Sequence, residues 1–189
     1  MPLVNGRYGP KNPSWLLAGQ PAGLNRENIP RPLVLNDSAI MTSGIMLATA
    51  LPLYAGDTVT SLTFASGATA AGTPTNWWVA LYDTAATPNL LGQSADQLTA
   101  AWAATTSKTL PLSSPVQITQ TGIYYAALMV KATTPPSLVG LATLTGAVTG
   151  MVTGDKTLTT VSGSGLTGTA PATIATPSAS AFVPRVVAT

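Results

Sequence analysis

Trp77-Trp78-Val79-Ala80-Leu81-Tyr82 and Ile123-Tyr124-Tyr125-Ala126-Ala127-Leu128-Met129-Val130 are the two stretches that decide the fold. Successive side chains of a strand point to opposite faces, so an unbroken apolar run of this length, rich in aromatic and β-branched residues, reads as a central strand covered on both sides. A third stretch, Thr58-Val59-Thr60-Ser61-Leu62-Thr63-Phe64, alternates instead. Thr60, Leu62 and Phe64 share one of its faces, which assigns Leu62 and Phe64 to the core. Working outward, further short runs between Gly, Pro and Asp turn signals predict strands at Ile40 to Thr49, Asn89 to Ser94, Lys108 to Leu112, Val116 to Thr119 and Ser137 to Leu141. Ala55-Gly56-Asp57 and Thr121-Gly122 are suited to tight entry turns. The spacing predicts an all-β fold, a single β-sandwich of jelly-roll-like character.

One helix is expected beside it, over Ser94 to Ala103, with Ser94 or Asp96 as its cap and Leu98, Ala101 and Trp102 at i, i+3 and i+4. Residues 36–141 form the sandwich body. Residues 1–35 form an extended N-terminal arm, because Pro2, Pro10, Pro13, Pro21, Pro30 and Pro32 exclude a regular helix or central strand. Its apolar residues, Trp15, Leu16 and Leu17 above all, are out of place in a solvated linker and suit a strap lying on a neighbouring surface. Residues 142–189 form a Gly/Thr/Ala-rich loop, with room for a hairpin at Gly154-Asp155. The run Phe182 to Val187 then rejoins the sandwich, Pro184 marking an edge position.

Only 7% of the 189 residues are charged, against about 25% in an ordinary soluble domain. There is no Cys and no His, which removes thiolate nucleophiles, zinc–thiolate sites, the commonest metal ligand and the usual base near neutral pH. The formal net charge of +2 supplies no cationic face of the kind nucleic acid requires. The arm holds Arg7, Lys11, Arg26 and Arg31 against Glu27, about +3, leaving the remainder about −1. No run of about 18 apolar residues suggests a membrane span, and the first residues lack the pattern of a secretory signal. A soluble protein that does not follow the general secretory route is expected, with no nucleic-acid or membrane partner.

Asp57, Asp83 and Asp96 could act as paired carboxylates, but each falls at a strand end or turn, where Asp is expected for its bonds to the backbone. No spaced motif supports a metal site. A Ser–Lys pair would have to use Lys108 or Lys131, and nothing in the sequence sets a Ser beside either. Gly163-Ser164-Gly165-Leu166-Thr167-Gly168 matches G-x-G-x-x-G in letters alone, since it neither follows an apolar strand nor opens a helix. No catalytic residue, metal or cofactor is assigned. Trp77, Trp78, Tyr82, Tyr124 and Tyr125 could form a sugar-stacking platform. Adjacent strand residues face opposite ways, so one Trp of the pair belongs in the core. The other is either exposed or covered by the helix, the arm or another subunit; core or interface is preferred to a platform.

Ser43-Gly44-Ile45-Met46-Leu47-Ala48-Thr49-Ala50-Leu51-Pro52-Leu53-Tyr54-Ala55-Gly56-Asp57-Thr58-Val59-Thr60-Ser61-Leu62-Thr63-Phe64 resembles a module of structural proteins from tailed phages infecting actinobacteria. So do Asn76 to Asp83, Leu91 to Asp96, Trp102 to Ala104 and Thr121 to Val130, so that the resemblance spans roughly residues 40–141. It implies a β-sandwich displayed on a virion assembled in the host cytoplasm, as a head-decorating or minor tail protein. The expected function is that of a non-enzymatic capsid decoration protein, with a minor tail or baseplate protein and a host-glycan-binding module as alternatives. Expected partners are the major capsid protein or tail proteins and further copies of the chain, a trimer first among the oligomers. The arm residues expected to touch particle or subunit are Arg7, Tyr8, Lys11, Trp15, Leu16, Leu17, Arg26 and Arg31.

Overall fold

The structure, a computed structural model, describes residues 25–34 and 36–189. The chain is nearly all β, and every paired strand is antiparallel. The strands are β1 (Arg26–Glu27), β2 (Asn36–Asp37), β3 (Met46–Leu53), β4 (Thr58–Ala65), β5 (Gly72–Tyr82), β6 (Leu90–Gln93), β7 (Ser107–Gln117), β8 (Gly122–Thr134), β9 (Val139–Ala142), β10 (Thr159–Ser162), β11 (Ser178–Ala179), β12 (Phe182–Pro184) and β13 (Val186–Ala188), with a five-residue helix α1 (Thr145–Thr149). A four-stranded sheet β1-β13-β4-β7 faces a six-stranded sheet β11-β10-β3-β8-β5-β6, and a three-stranded sheet β12-β9-β2 closes one end.

The strand periodicity explains the two layers of core. Trp77, Val79 and Leu81 of β5, with Tyr124, Ala126, Leu128 and Val130 of β8, face the four-stranded sheet and pack on Val59, Leu62, Phe64, Leu110 and Val186. The alternate residues Trp78, Ala80 and Tyr82, with Tyr125, Ala127 and Met129, face away from it and form a second layer with Met46, Ala48 and Ala50. Among the described residues no sheet covers that second layer. It is covered by irregular chain, residues 163–176, through Leu166, Ala170 and Ile174. The small side chains Ala48, Ala50, Ala80 and Ala127 let a bare backbone approach the sheet closely, and the larger aromatics between them reach up to it.

Several elements differ from those expected of the sequence. β3 begins at Met46, so residues 40–45 are not strand, and the two runs around Pro115 are one strand, β7. No helix forms over Ser94 to Ala103. Asp96 Oδ1 accepts from the N–H of Trp77 across the sheet (3.0 Å) and from Leu98 N (3.1 Å), an Asx turn in which Leu98 takes a positive φ of 51°. Trp102 is drawn onto Trp77, ring centroids 5.2 Å apart, and this tertiary contact overrides the helical spacing. No hairpin forms at Gly154-Asp155. Residues 143–158 instead hold α1 and a turn in which Asp155 Oδ2 accepts from Met151 N (2.8 Å) and Val152 N (3.0 Å).

The arm boundary also moves. Arg26 and Glu27 extend the four-stranded sheet by pairing with Ala188 and Val187, so the arm as read from sequence gives its last residues to the body. Phe182 to Val187 does rejoin the sandwich, but as two strands in two sheets, broken at Arg185. Asn28 secures the break. Its Nδ2 donates to Pro184 O (2.9 Å) and its Oδ1 accepts from Val186 N (2.9 Å).

Candidate interaction surface

All five aspartates of the described chain are committed to backbone N–H groups. Asp37 accepts from Ala68 N (2.8 Å), Asp57 from Tyr54 N (3.0 Å), and Asp83 from Ala85 N and Asn89 N (3.0 and 2.8 Å), while Asp96 and Asp155 each hold the two described above. Burial acts to push the Asp83 carboxyl up, but the hydrogen bonds from Asn89 and Ala85 and the positive charge of Lys156 together hold it below the usual carboxylate range. The exposed Asp155 carboxyl is lowered by its bonds from Val152 and Met151. Asp57, Asp83 and Asp96 thus serve three separate turns and do not converge. Among the described residues no three of Asp and Glu gather closely enough to hold a metal ion, and no helix is long and apolar enough to cross a membrane.

Lys108 lies with Nζ 6.0 Å from the Trp77 ring centroid. Lys131 sits on β8, where its carbonyl accepts from Thr75. The Gly163 to Gly168 stretch belongs to the irregular cover, where Leu166 N donates to Gly44 O at 2.9 Å.

Of the residues named for a sugar platform, Trp77 is 2% exposed, Trp78 and Tyr82 0%, Tyr124 5% and Tyr125 6%. Both tryptophans are buried, one in each layer, so the second of the pair is covered and not exposed. What covers Trp78 is the C-terminal Gly/Thr-rich segment, a candidate that the sequence reading did not name. The polar tips on this face explain why so featureless a segment lies in place. Trp78 Nε1 donates to Thr167 O (2.6 Å), Tyr82 Oη to Pro171 O (2.8 Å) and Tyr125 Oη to Thr157 O (2.9 Å), while Gln93 Oε1 accepts from Ala170 N (2.7 Å). A loop against a sheet carries backbone groups that must find partners, and here the side chains of the sheet supply them. These aromatics are fasteners and present no platform.

Of the arm residues, Arg7, Tyr8, Lys11, Trp15, Leu16 and Leu17 lie outside the described residues. Arg26 is not available to a partner in the way the sequence suggested. Its Nε and Nη2 grip Asp57 at 2.9 and 2.8 Å, and the guanidinium lies 5.1 Å over the Tyr54 ring, a bidentate geometry that only Arg can make. Glu27 is likewise engaged, by Arg185 at 2.5 Å. Arg31 is exposed, in a single 3-10 turn over Arg31–Leu33.

Two apolar surfaces escaped the sequence reading. One is the tip beyond α1, where Leu144 and Met151 are each 83% exposed and Val152 70%. The other is a groove of about 160 Å³ where the three-stranded sheet meets β3 and β10, lined by Ile40, Met41, Ile45, Leu47, Val161 and Phe182 among others. The available signal was the pair Ile40-Met41, which reads as the start of a strand only if its apolar character is taken for sheet periodicity. In the fold it precedes the strand and forms a wall.

The described body, residues 25–189, holds Arg26, Arg31, Lys108, Lys131, Lys156 and Arg185 against Glu27, Asp37, Asp57, Asp83, Asp96 and Asp155, which cancel. The whole surplus of +2 therefore comes from Arg7 and Lys11. No protein-family model matches the chain, and no curated protein matches it.

Proposed function

We propose that this protein is a non-enzymatic structural component of a phage virion, a capsid decoration protein whose first 24 residues fasten it to the shell while the sandwich projects outward. The observation that carries this reading is how the polar and aromatic groups are used. The aspartates that could have served chemistry hold turns, and the aromatics that could have served a ligand hold the cover. The net charge and the Trp15-Leu16-Leu17 cluster lie together in the segment that precedes the body. A neutral, closed body with its distinctive chemistry confined to one terminal segment suits attachment better than turnover, and repeated copies on a symmetric particle are the setting in which such a part is used. The partners proposed are the major capsid protein and further copies of the chain, as a trimer.

Deleting residues 1–24 tests the reading. The remaining chain keeps every described strand, so it should retain its far-UV circular dichroism and cooperative melting while no longer joining purified particles. Normal occupancy by the truncated protein would overturn it. Cryo-electron microscopy with quantitative mass spectrometry separates the head from the tail: hundreds of copies over the shell support decoration, and a few copies at the tail tip make it a minor tail protein.

A further inference from the structure

The strand register sets Asn76 between Lys131 and Asp96 on the covered face of the six-stranded sheet. Asn76 lies directly opposite Lys131 in the pairing of β5 with β8, next to the pairs Trp77–Val130 and Trp78–Met129. Alternation puts Asn76 on the face of Trp78 and Lys131 on the face of Met129, and both of those residues belong to the second core layer. Residues directly opposite in an antiparallel pair have Cβ atoms about 4.5–5.5 Å apart, a gap that the flexible four-carbon stem of lysine spans. Asp96 follows β6, on the other side of β5 from β8, and its Oδ2 accepts from Asn76 Nδ2 at 2.5 Å. The Asx turn and Trp77 N use only Oδ1 of Asp96, so its second oxygen is given over to this side-chain amide. The irregular cover passes close above: a Cβ on Gly168 would lie 2.5 Å from Asp96 Oδ2, and Trp78 Nε1 and Gln93 Nε2 hold the carbonyls of Thr167 and Gly168. Asn76, Asp96 and Lys131 are each half-buried. Among the described residues Lys131 Nζ has no hydrogen-bond or ion-pair partner.

We propose that Lys131 and Asn76 join in an isopeptide bond that the chain forms by itself. Lysine is a nucleophile as its free amine, and a side-chain amide yields to it only where the two are held together, in the way that oriented intramolecular groups reach effective concentrations of about 10⁵–10⁸ M. Nζ of Lys131, as the free amine, bonds to Cγ of Asn76, and the Cγ–Nδ2 bond breaks. The proton given up by Nζ passes by way of Asp96 Oδ2 to Nδ2, which leaves as ammonia. Asp96 ends as it began, and the step consumes no oxidant, cofactor or second substrate. Its product ties β5 to β8 beneath the cover. A second amide–carboxylate pair in the chain shows what the site requires. Asn89 Nδ2 donates to Asp83 Oδ2 at 2.8 Å, but Asn89 is exposed and Lys156, whose charge acts on Asp83, is held by Thr84 O at 3.0 Å. The reaction occurs once per chain, without turnover, and does not depend on the virion role.

Intact-mass spectrometry of the denatured full-length chain tests this. The protein should weigh less than its sequence requires by one ammonia, and a proteolytic digest should contain a branched peptide joining Asn76 to Lys131. Lys131→Arg keeps the charge and most of the stem and should weigh what its sequence requires, whereas Lys156→Arg should keep the loss. A succinimide at Asn76, formed by attack of Trp77 N on the same carbon, also expels ammonia, but it would persist in Lys131→Arg. Asp96→Asn retains an oxygen for Trp77 N and Leu98 N, so it should keep the far-UV circular dichroism of the native chain while the ammonia is no longer lost. The proposal is overturned if the native chain has its full sequence mass, if the loss persists in Lys131→Arg, or if the branched peptide joins other residues. Loss of ammonia from Asp96→Asn as complete as from the native chain would overturn the part given to Asp96.

Discussion

Replacing Tyr82 by Phe removes one oxygen atom and leaves the ring in place. Tyr82 is fully buried, and its Oη donates to Pro171 O at 2.8 Å and lies 3.4 Å from Met46 Sδ. Without it the Pro171 carbonyl loses this donor beneath the cover. A hydrogen bond contributes about 1 kcal/mol net, and an unpartnered buried acceptor costs about 1–3 kcal/mol. At 1.4 kcal/mol per factor of ten, the cover should open about 5- to 100-fold more often. Native-state hydrogen exchange reads this directly. Leu166 N, Ala170 N and Ile174 N are held by Gly44 O, Gln93 Oε1 and Pro88 O in or beside the cover, whereas Thr189 N is held by Ser61 O in the four-stranded sheet. If residues 163–176 open as a unit of their own, the first three should exchange faster and Thr189 should not. Unchanged exchange at all four would refute the fastening role of Tyr82. Equal acceleration at all four would refute the independence of the cover.

Alkaline titration probes the same face. Burial pushes the Tyr82 and Tyr125 phenols above their ordinary value near 10. The folded chain keeps protons that the unfolded chain gives up, so this contribution is complete below about pH 10 and is lost as pH rises through the folded pKa values. Urea midpoints measured from pH 9 to 11.5 should fall, and fall less steeply in Tyr82→Phe. Arg26→Ala leaves the Asp57 carboxylate, 6% exposed, with its backbone donor but without its cation. The arginine is itself about a third exposed, so a loss of about 1–2 kcal/mol is expected in denaturant unfolding. Gly140→Ala would put a Cβ 2.2 Å from Val183 O and 2.8 Å from Pro184 Cα, parting β9 from β12 at a cost of about 1–3 kcal/mol. Gly146→Ala meets nothing within 4 Å inside α1 and should be neutral or stabilising by up to about 1 kcal/mol.

The sequence makes the sheets legible because a strand's two faces write themselves into alternation. Leu62 and Phe64 reach the first core layer as expected, and the apolar runs through Trp77 and Tyr124 are central strands covered on both sides. What could not be read is what covers the second side. The cover has no periodicity, and its order comes from the tips of Trp78, Tyr82 and Gln93, each more than 70 residues away in sequence from the atom it holds. Local rules failed for the same reason at Ser94 to Ala103. The acid that would cap a helix there holds the N–H of Trp77 instead, and only the fold brings that group within reach.

The chain's closing residues show how far the body depends on distant pairing. β13 lies between β1 and β4, so the four-stranded sheet is complete only with its last residues in place. Thr189 O accepts from Thr60 N (2.7 Å) and Ser61 N (2.9 Å), where the register between β4 and β7 slips. Deleting residues 182–189 would uncover Leu62 and Phe64, remove the buried side chains of Val183 and Val186, and take Arg185 from Glu27 and the Val186 N–H from Asn28. Each buried valine alone contributes about 1.5–3 kcal/mol, and the broken pairings add to that a sum comparable with the whole stability of a domain, about 5–15 kcal/mol. The truncated chain should show no cooperative unfolding transition, although it keeps most of its strand-forming sequence, whereas removal of residues 1–24 leaves one intact. A cooperative transition at the full-length midpoint after the C-terminal deletion would show that β3, β8 and β5 hold together without the sheet they face.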